Sequence, residues 1–248
     1  MSGPSLHARI APAMHKSDRI AANLKLVHER IAQAAARARR DASGISVVAV
    51  GKTFPADAIR AAYDAGLRHF GENRVQEFEA KREKLRDLDA TWHFIGHLQS
   101  NKAHRAVRLF DRLDCVDTAA IAKRIDPAAA SEGKRIPVLI EVHLGSEATK
   151  SGVGESDLPA LAEKIVALPH LELQGLMSIP PYSDDPEEAR PYFRKLRMLR
   201  DELSERIGRP LPVLSMGMSH DFEVAIEEGS TEIRMGTALF GERAKRQG

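Results

Sequence analysis

Short apolar segments alternate with longer amphipathic segments along most of this chain. The short segments have the length of strands, and the longer ones repeat apolar residues at helical spacing, so the pattern predicts alternating strands and helices. The eight predicted strands are Val47–Val50, Arg68–Phe70, Trp92–Ile95, Arg112–Val116, Pro137–His143, Leu171–Met177, Val213–Ser215 and Glu232–Met235. The helices between them are predicted near Ala56–Ala65, Val75–Leu88, Lys102–Leu109, Thr118–Glu132, Glu155–Ala167, Pro186–Ile207 and His220–Glu228.

This repeat predicts the fold class. A strand and a helix recur about every 25 residues, and eight such units fit the ~250 residues of a typical (β/α)8 barrel. The Ile136–Val142 segment is almost entirely apolar, as expected for a parallel strand covered on both faces. We therefore predict an α/β protein built as a single (β/α)8 TIM barrel. An open doubly wound sheet produces the same local pattern and remains the alternative.

One further helix precedes the repeat. From Ser17 to about Arg40, apolar residues recur at helical spacing, and Ser17 is the predicted N-cap. Residues 1–16 combine prolines, a glycine and polar residues, which is typical of a flexible leader. We therefore predict a leader over 1–16 and one barrel domain over 17–248.

The composition and net charge of the chain exclude several classes of function. The chain has 37 basic and 35 acidic residues, a balance too even to indicate nucleic-acid binding. No segment approaches the ~18 consecutive apolar residues of a membrane span. Cys115 is the only cysteine, so an intrachain disulfide is excluded, and it is predicted to be a reduced, half-buried strand residue. These observations favour a cytoplasmic protein that binds neither nucleic acid nor membrane.

Lys52 is the strongest candidate for chemistry. In a parallel barrel, functional residues collect where strands end and helices begin, and Lys52 follows the first predicted strand. A lysine amine in that position is placed to form a Schiff base with an aldehyde when it is unprotonated. Gly51 beside it leaves room for a close ligand. The alternative is a surface lysine in a loop.

The ends of the last two predicted strands carry the residues of a phosphate site. Gly217 and Ser219 follow the seventh strand, and Gly236 and Thr237 follow the eighth. Glycines let the backbone approach an anion, hydroxyls donate to it, and barrel phosphate sites commonly lie after these two strands. Ordinary strand-end turns would explain each glycine alone. Together with Lys52, however, the residues predict a phosphorylated aldehyde, and pyridoxal phosphate is the candidate.

The remaining polar residues allow more than one interpretation. Arg234 lies within the last predicted strand, so it would need a ligand nitrogen, a ligand carboxylate or a barrel glutamate as its partner. Asn73 is either a pocket residue or a helix N-cap. His93 and His97 flank a strand end and need not share a face, so no metal site is predicted. Glu72 and Glu223 are possible acid–base groups, but the expectation for single glutamates is that they are solvated.

Seven segments resemble one known family, the pyridoxal phosphate homeostasis proteins. They are Ala49–Thr53, His69–Asn73, Trp92–Lys102, Lys150–Gly152, Gly175–Pro180, Leu214–Ser219 and Ile233–Gly241. The resemblance spans nearly the whole chain after the leader. It implies a barrel like the N-terminal domain of alanine racemase. Two positions depart from the usual family pattern, namely Gly51 in place of a serine and His220 in place of an acidic residue.

The resemblance also implies roles for individual residues. Lys52 would form the internal aldimine with pyridoxal phosphate, and Arg234 would face the pyridine nitrogen. The phosphate would be held by Ser219, Gly236 and Thr237, with the Met218 backbone nearby, while Asn73 and Ser178 would line the pocket.

Two functions from different classes are compatible with these residues. The resemblance implies a monomeric, non-catalytic carrier that holds the cofactor and supplies it to apo-enzymes. The chain ends soon after the eighth unit, and we expect it to lack the additional domain from which a racemase takes its second base. An amino-acid racemase of the same barrel type remains the alternative. A weaker third alternative is a phosphosugar aldolase that uses a Schiff-base lysine.

Overall fold

The strands of this protein close into a barrel. The computed structural model describes residues 15–145 and 151–241. Each strand pairs in parallel with the next one along the chain, and the eighth pairs with the first through neighbours such as Val47 and Ile233. The predicted (β/α)8 barrel is therefore confirmed. The open-sheet alternative is wrong, because an open sheet has no pairing between its first and last strands.

The strands occupy nearly the predicted segments. The strands β1 to β8 span Ser46–Val50, His69–Glu72, Thr91–Phe94, Arg112–Val116, Ile136–Glu141, Leu171–Met177, Val213–Met218 and Glu232–Met235. Most of their side chains are buried, because those on one face fill the barrel and those on the other pack under helices.

The helices surround this barrel. Those in the described residues, α1 to α9, span Lys16–Arg37, Ala56–Asp64, Val75–Arg82, Ala103–Leu109, Ala119–Ser131, Leu158–Val166, Arg190–Ile207, Phe222–Glu227 and Thr237–Phe240. The extra N-terminal helix, α1, packs its buried face (Ile20, Leu24, Val27 and Ile31) against α2, α8 and α9. None of the helices in the part of the chain described is both long and apolar enough to cross a membrane.

The start of α1 differs from the prediction. The helix begins at Lys16 and ends at Arg37, whereas Ser17 and Arg40 were the predicted limits. His15 occupies the N-cap position and makes no side-chain capping hydrogen bond, so the prediction of Ser17 as the N-cap is wrong. Residues 1–14 of the predicted leader lie outside the described residues.

Several other boundaries shift by a few residues. The α3 helix ends at Arg82 and continues as a 3₁₀ turn, and α6 and α8 begin at Leu158 and Phe222, later than predicted. Strand β7 continues to Met218, three residues beyond the predicted end. The α9 helix was not predicted, because its four residues make only about one turn and carry no detectable periodicity.

Cys115 lies deeper than the sequence indicated. It is 1% exposed, so the prediction of a half-buried side chain is wrong. Both neighbours in β4, Asp114 and Val116, are buried as well, because this strand is covered on both of its faces. Burial raises the pKa of the Cys115 thiol well above its usual value, which suits an unreactive side chain.

Candidate functional site

One cavity opens where the strands of the barrel end. Its volume is about 530 Å³. Seven of the eight predicted cofactor-binding residues line it, namely Lys52, Asn73, Met218, Ser219, Arg234, Gly236 and Thr237. Residues that lie far apart in the sequence therefore meet at one end of the barrel, as the strand-end rule predicts.

Lys52 enters this cavity from a tight turn that follows β1. The Phe54 amide donates to the Gly51 carbonyl oxygen at 3.0 Å, which closes the turn. Thr53 has a φ of 69°, in the left-handed region that a β-branched residue seldom adopts. The Lys52 side chain is half-buried. An amine at this position can reach an electrophile held in the cavity.

The hydroxyls predicted to hold a phosphate lie together at the ends of β7 and β8. Ser219 Oγ accepts a hydrogen bond from the Ala238 amide at 3.2 Å, so Ser219 is fixed to the first turn of α9. Gly236 precedes that helix, and a Cβ there would approach only Val50, at 3.8 Å. Thr237 begins the helix. The arrangement leaves room for an anion beside two hydroxyls and the start of α9.

Two neighbouring residues of β7, Gly217 and Met218, are held by contacts within the protein. The Met218 amide donates to Asp221 Oδ1 at 2.6 Å, so this amide is already engaged with a carboxylate. Gly217 has a φ of 95°, and a Cβ there would lie 2.6 Å from the Ala225 Cβ and 3.0 Å from the Phe222 Cα. Packing against α8 and the positive φ therefore both require a glycine at position 217.

Arg234 is a buried cation at the cavity wall. Its Nη1 donates to the Ser215 carbonyl oxygen at 2.8 Å and to Ser215 Oγ at 2.9 Å, and its Nη2 donates to the Ser178 carbonyl oxygen at 2.9 Å. These contacts orient the guanidinium through neutral oxygen atoms. Burial lowers the pKa of Arg234, and nearby carboxylates oppose that effect. None of these three hydrogen bonds goes to a glutamate, so they do not support the alternative of a barrel glutamate as the partner of Arg234.

Ser178 contributes to the site differently from the prediction. It does not line the cavity. Instead, its carbonyl oxygen accepts a hydrogen bond from Arg234 Nη2. Its Oγ is buried and has no hydrogen-bond partner within the described residues. A buried hydroxyl without a partner is energetically costly.

Asn73 lies on the side of the cavity formed by β2 and β3. The N-cap of α3 is Arg74, so the alternative that Asn73 caps this helix is wrong. Gly96 packs directly against it, and a Cβ on Gly96 would lie 2.3 Å from the Asn73 carbonyl oxygen. Only a glycine at position 96 allows this close approach.

A carboxylate that the sequence did not suggest also lines the cavity. Glu141 is 6% exposed, and Ser151 Oγ donates to its Oε1 at 2.7 Å. Burial raises the pKa of Glu141, and Asp117 raises it further. His97 lies nearby, with its Nδ1 3.5 Å from Asp117 Oδ2. Of the matched segment Lys150–Gly152, Lys150 lies outside the described residues.

His93 and His97 lie in different surroundings. His93 is fully buried inside the barrel, where its Nδ1 is 3.2 Å from Asp114 Oδ2, whereas His97 is largely exposed. Ligand atoms of His93, Asp114 and Glu232 lie within 4.8 Å of one another. The Arg112 guanidinium hydrogen-bonds to both carboxylates of this group, so a protein cation already pairs with them. The arrangement is that of a buried ion-pair network rather than a metal centre.

The burial of Glu72, next to the cavity residue Asn73, differs from the prediction. It is completely buried in β2, so the expectation of a solvated glutamate is wrong. Lys81 Nζ donates to Glu72 Oε1 at 2.9 Å, and Glu72 Oε2 has no partner among the described residues. Burial outweighs the attraction of Lys81 and raises the pKa of Glu72 to about 7.

The groups around this cavity fit a phosphorylated aldehyde with an aromatic ring. Lys52 supplies the amine for a carbonyl carbon, and the two hydroxyls with α9 supply donors for a phosphate. Arg234 supplies donors for a ring nitrogen or a carboxylate. Residues 16–244 match the family model of the alanine racemase N-terminal domain.

A curated relative identifies the family within that fold. The pyridoxal phosphate homeostasis protein of Aquifex aeolicus (strain VF5) is 50% identical over 220 residues, which cover 89% of this chain and 96% of that protein. This chain belongs to the pyridoxal phosphate homeostasis protein family. The resemblance that its sequence segments indicated is therefore confirmed.

Solved structures show the same architecture. PipY of Synechococcus elongatus PCC7942, solved with pyridoxal phosphate bound, has 40% sequence identity and a TM-score of 0.80, and the match covers 90% of this chain and all of PipY. An alanine racemase of Clostridium difficile 630 has a TM-score of 0.72 at 13% identity, covering 92% of this chain and 58% of the racemase. The second similarity concerns the fold alone.

Proposed function

We propose that this protein binds pyridoxal 5′-phosphate and acts in its cellular homeostasis. The observation that carries the proposal is the convergence of Lys52, Arg234 and the hydroxyls of Ser219 and Thr237 on one cavity. An amine, a fixed cation and a phosphate-binding edge correspond to the aldehyde, the ring nitrogen and the phosphate of this cofactor. The names of the family members and the bound ligand of PipY support the same ligand.

In the proposed state, Lys52 Nζ holds the cofactor as a Schiff base. Ser219, Gly236 and Thr237 bind the phosphate, and Arg234 faces the ring nitrogen. Asn73 and Met218 line the pocket, and the Ser178 carbonyl oxygen accepts a hydrogen bond from Arg234. The protein acts as a monomer in the cytoplasm and supplies the cofactor to apo-enzymes.

Arg234 is the feature that favours a carrier over an enzyme. In catalysis, pyridoxal phosphate acts as an electron sink for carbanions, and a protonated ring nitrogen strengthens that sink. A guanidinium donates hydrogen bonds and does not accept them, so a nitrogen that faces Arg234 accepts a hydrogen bond and carries no proton of its own. The Ser215 and Ser178 contacts hold the guanidinium in this role. Turnover by amino-acid chemistry is therefore not expected.

One spectroscopic experiment tests the binding. We expect protein loaded with pyridoxal phosphate to show a visible Schiff-base band that borohydride abolishes, and peptide mapping to find the reduced adduct on Lys52. Lys52→Ala should lose the adduct but keep weaker, phosphate-anchored binding. Lys123→Ala, on the exposed surface of α5, is the matched control and should behave as the wild type. An adduct on another lysine in the wild type would refute the assignment.

A second experiment separates the carrier from the racemase alternative. The loaded protein is incubated with L-alanine and other amino acids, and the D-enantiomer is measured against free cofactor at the same concentration. We expect no excess over free cofactor. Racemisation well above that level would overturn the carrier proposal. Transfer is tested by mixing the loaded protein with an apo-enzyme and following the recovery of that enzyme's activity.

A further inference from the structure

The turn that carries Lys52 is held by two side chains outside the cavity. Glu77 Oε1 accepts a hydrogen bond from the Thr53 amide at 2.6 Å. Lys81 Nζ donates to the Gly51 carbonyl oxygen at 3.0 Å. The peptide groups on both sides of Lys52 are therefore each fixed by one side chain of α3.

These two side chains also hold each other. Lys81 Nζ lies 2.8 Å from Glu77 Oε1, and the two residues are one helical turn apart on α3. Lys81 also donates to the buried Glu72, and a Cβ on Gly51 would lie 2.9 Å from that carboxylate. Through Glu72, the two side chains are thus connected to strand β2 of the barrel. We call Glu77 and Lys81 the bracket.

The backbone of the turn indicates why a bracket is needed. Thr53 has a positive φ, which is unfavourable for a β-branched residue and persists only when the surroundings enforce it. The Glu77 carboxylate supplies that enforcement at the Thr53 amide. Without it, the turn can relax to a negative φ, and such a change would redirect the Lys52 side chain. Neither bracket residue lines the cavity within the described residues, so neither is expected to touch a ligand there.

We propose that Glu77 and Lys81 are positioning residues that hold Lys52 in the orientation needed for covalent attachment of the cofactor. This inference rests on the proposed function. A small misplacement of a reacting group slows a reaction strongly while leaving the binding of the rest of the ligand unchanged. The bracket should therefore affect the covalent step more than the initial capture of the phosphate.

The test uses the full-length protein and pyridoxal phosphate as the probe. The rate of appearance of the Schiff-base band is measured over a range of cofactor concentrations, which gives a limiting rate and a half-saturating concentration. Glu77→Asp keeps the charge but shortens the side chain, so it no longer reaches the Thr53 amide. We expect its limiting rate to fall about tenfold, with the half-saturating concentration nearly unchanged.

Two variants control this measurement. Glu77→Gln keeps the reach and an acceptor oxygen, so it should retain most of the wild-type limiting rate. Glu79→Asp lies on the same helix and pairs with Arg105 and Arg108 instead of the turn, so it should match the wild type. Thermal melting checks that these three variants and Lys81→Met are folded. Lys81→Met should slow the covalent step in the same way as Glu77→Asp.

The outcomes distinguish a failure of the positioning role from a failure of the proposed function. If the wild type forms no adduct on Lys52, the proposed function fails. If the wild type forms the adduct but Glu77→Asp reacts at the same limiting rate, only the positioning role is refuted. The positioning role is also refuted if Glu77→Gln is as slow as Glu77→Asp, because charge or fold rather than reach would then matter. A slow Glu79→Asp variant would likewise refute a role specific to the turn.

Discussion

Arg234 and Ser215 lie on adjacent strands, and the guanidinium donates to both the carbonyl and the hydroxyl oxygen of this one serine, at 2.8 and 2.9 Å. A third hydrogen bond, to the Ser178 carbonyl oxygen, fixes the other side of the same group. The cation is 3% exposed, so its position is set by the barrel rather than by solvent.

The first prediction concerns this cation. Arg234→Ala should shift the absorption band of the bound cofactor more than it weakens retention, because the ring nitrogen loses its charged neighbour while the phosphate contacts remain. Arg234→Lys keeps a positive charge but cannot reproduce the planar, forked hydrogen bonds. We expect its band to lie between those of the wild type and the alanine variant. An unchanged spectrum in Arg234→Ala would show that the guanidinium does not face the ring.

The second prediction concerns the phosphate edge. Ser219→Ala combined with Thr237→Val removes two hydroxyl donors, and hydrogen bonds to a charged group contribute about 1.5–3 kcal/mol each. For two such bonds we therefore expect retention to weaken by about a hundredfold to ten-thousandfold. The measurement is cofactor loss during dialysis, with Ser131→Ala on α5 as the control, since the Ser131 hydroxyl contacts Ala128 and His104 and does not line the cavity. Equal loss from the double variant and the wild type would contradict the proposed edge.

The third prediction is a pH dependence of folding stability. Glu72 has a pKa raised from 4.5 to about 7, so the folded state favours its protonated form. Its favourable contribution is complete below about pH 4.5 and is lost as the pH rises through about 7. The full difference corresponds to at most about 3 kcal/mol.

Glu72→Gln tests this dependence, because the amide stays neutral at every pH. Its free energy of unfolding relative to the wild type should increase between pH 4.5 and 7 and then stay level. Urea denaturation at several pH values provides the measurement. Glu83→Gln, an exposed residue after α3, is the control and should show no such trend. A constant difference between Glu72→Gln and the wild type would mean that Glu72 does not titrate in this range.

The fourth prediction concerns the contact between Gly96 and Asn73. A Cβ on Gly96 would lie 2.3 Å from the Asn73 carbonyl oxygen, so Gly96→Ala must displace the loop that carries Asn73. We expect a loss of about 1–3 kcal/mol in stability, together with faster loss of the cofactor. Gly154→Ala is the control, because a Cβ there meets nothing within 4 Å. Wild-type stability in Gly96→Ala would show that the loop adapts without cost.

The sequence was most informative where function depends on local position along the chain. Lys52, Ser219 and Thr237 were found because each follows a recognisable strand, and parallel strands bring such positions to one rim. The sequence was least informative about which groups contact each residue in the folded protein. Glu72 looked solvated because a single glutamate gives no indication of what covers it, and Met218 looked available because its bond to Asp221 forms only in the turn.

The order of strands and helices, the closure expected from eight units, the family and the residues at the rim were all determined by the sequence. These features follow from hydrophobic periodicity and from short segments, which are local properties of a chain. The tertiary structure alone decided that α3 supports the Lys52 turn, that Arg112 pairs with Asp114 and Glu232, and that the Ser178 carbonyl oxygen accepts a hydrogen bond from Arg234. Such contacts depend on the register between distant strands and on individual backbone angles, and no spacing along the sequence encodes them.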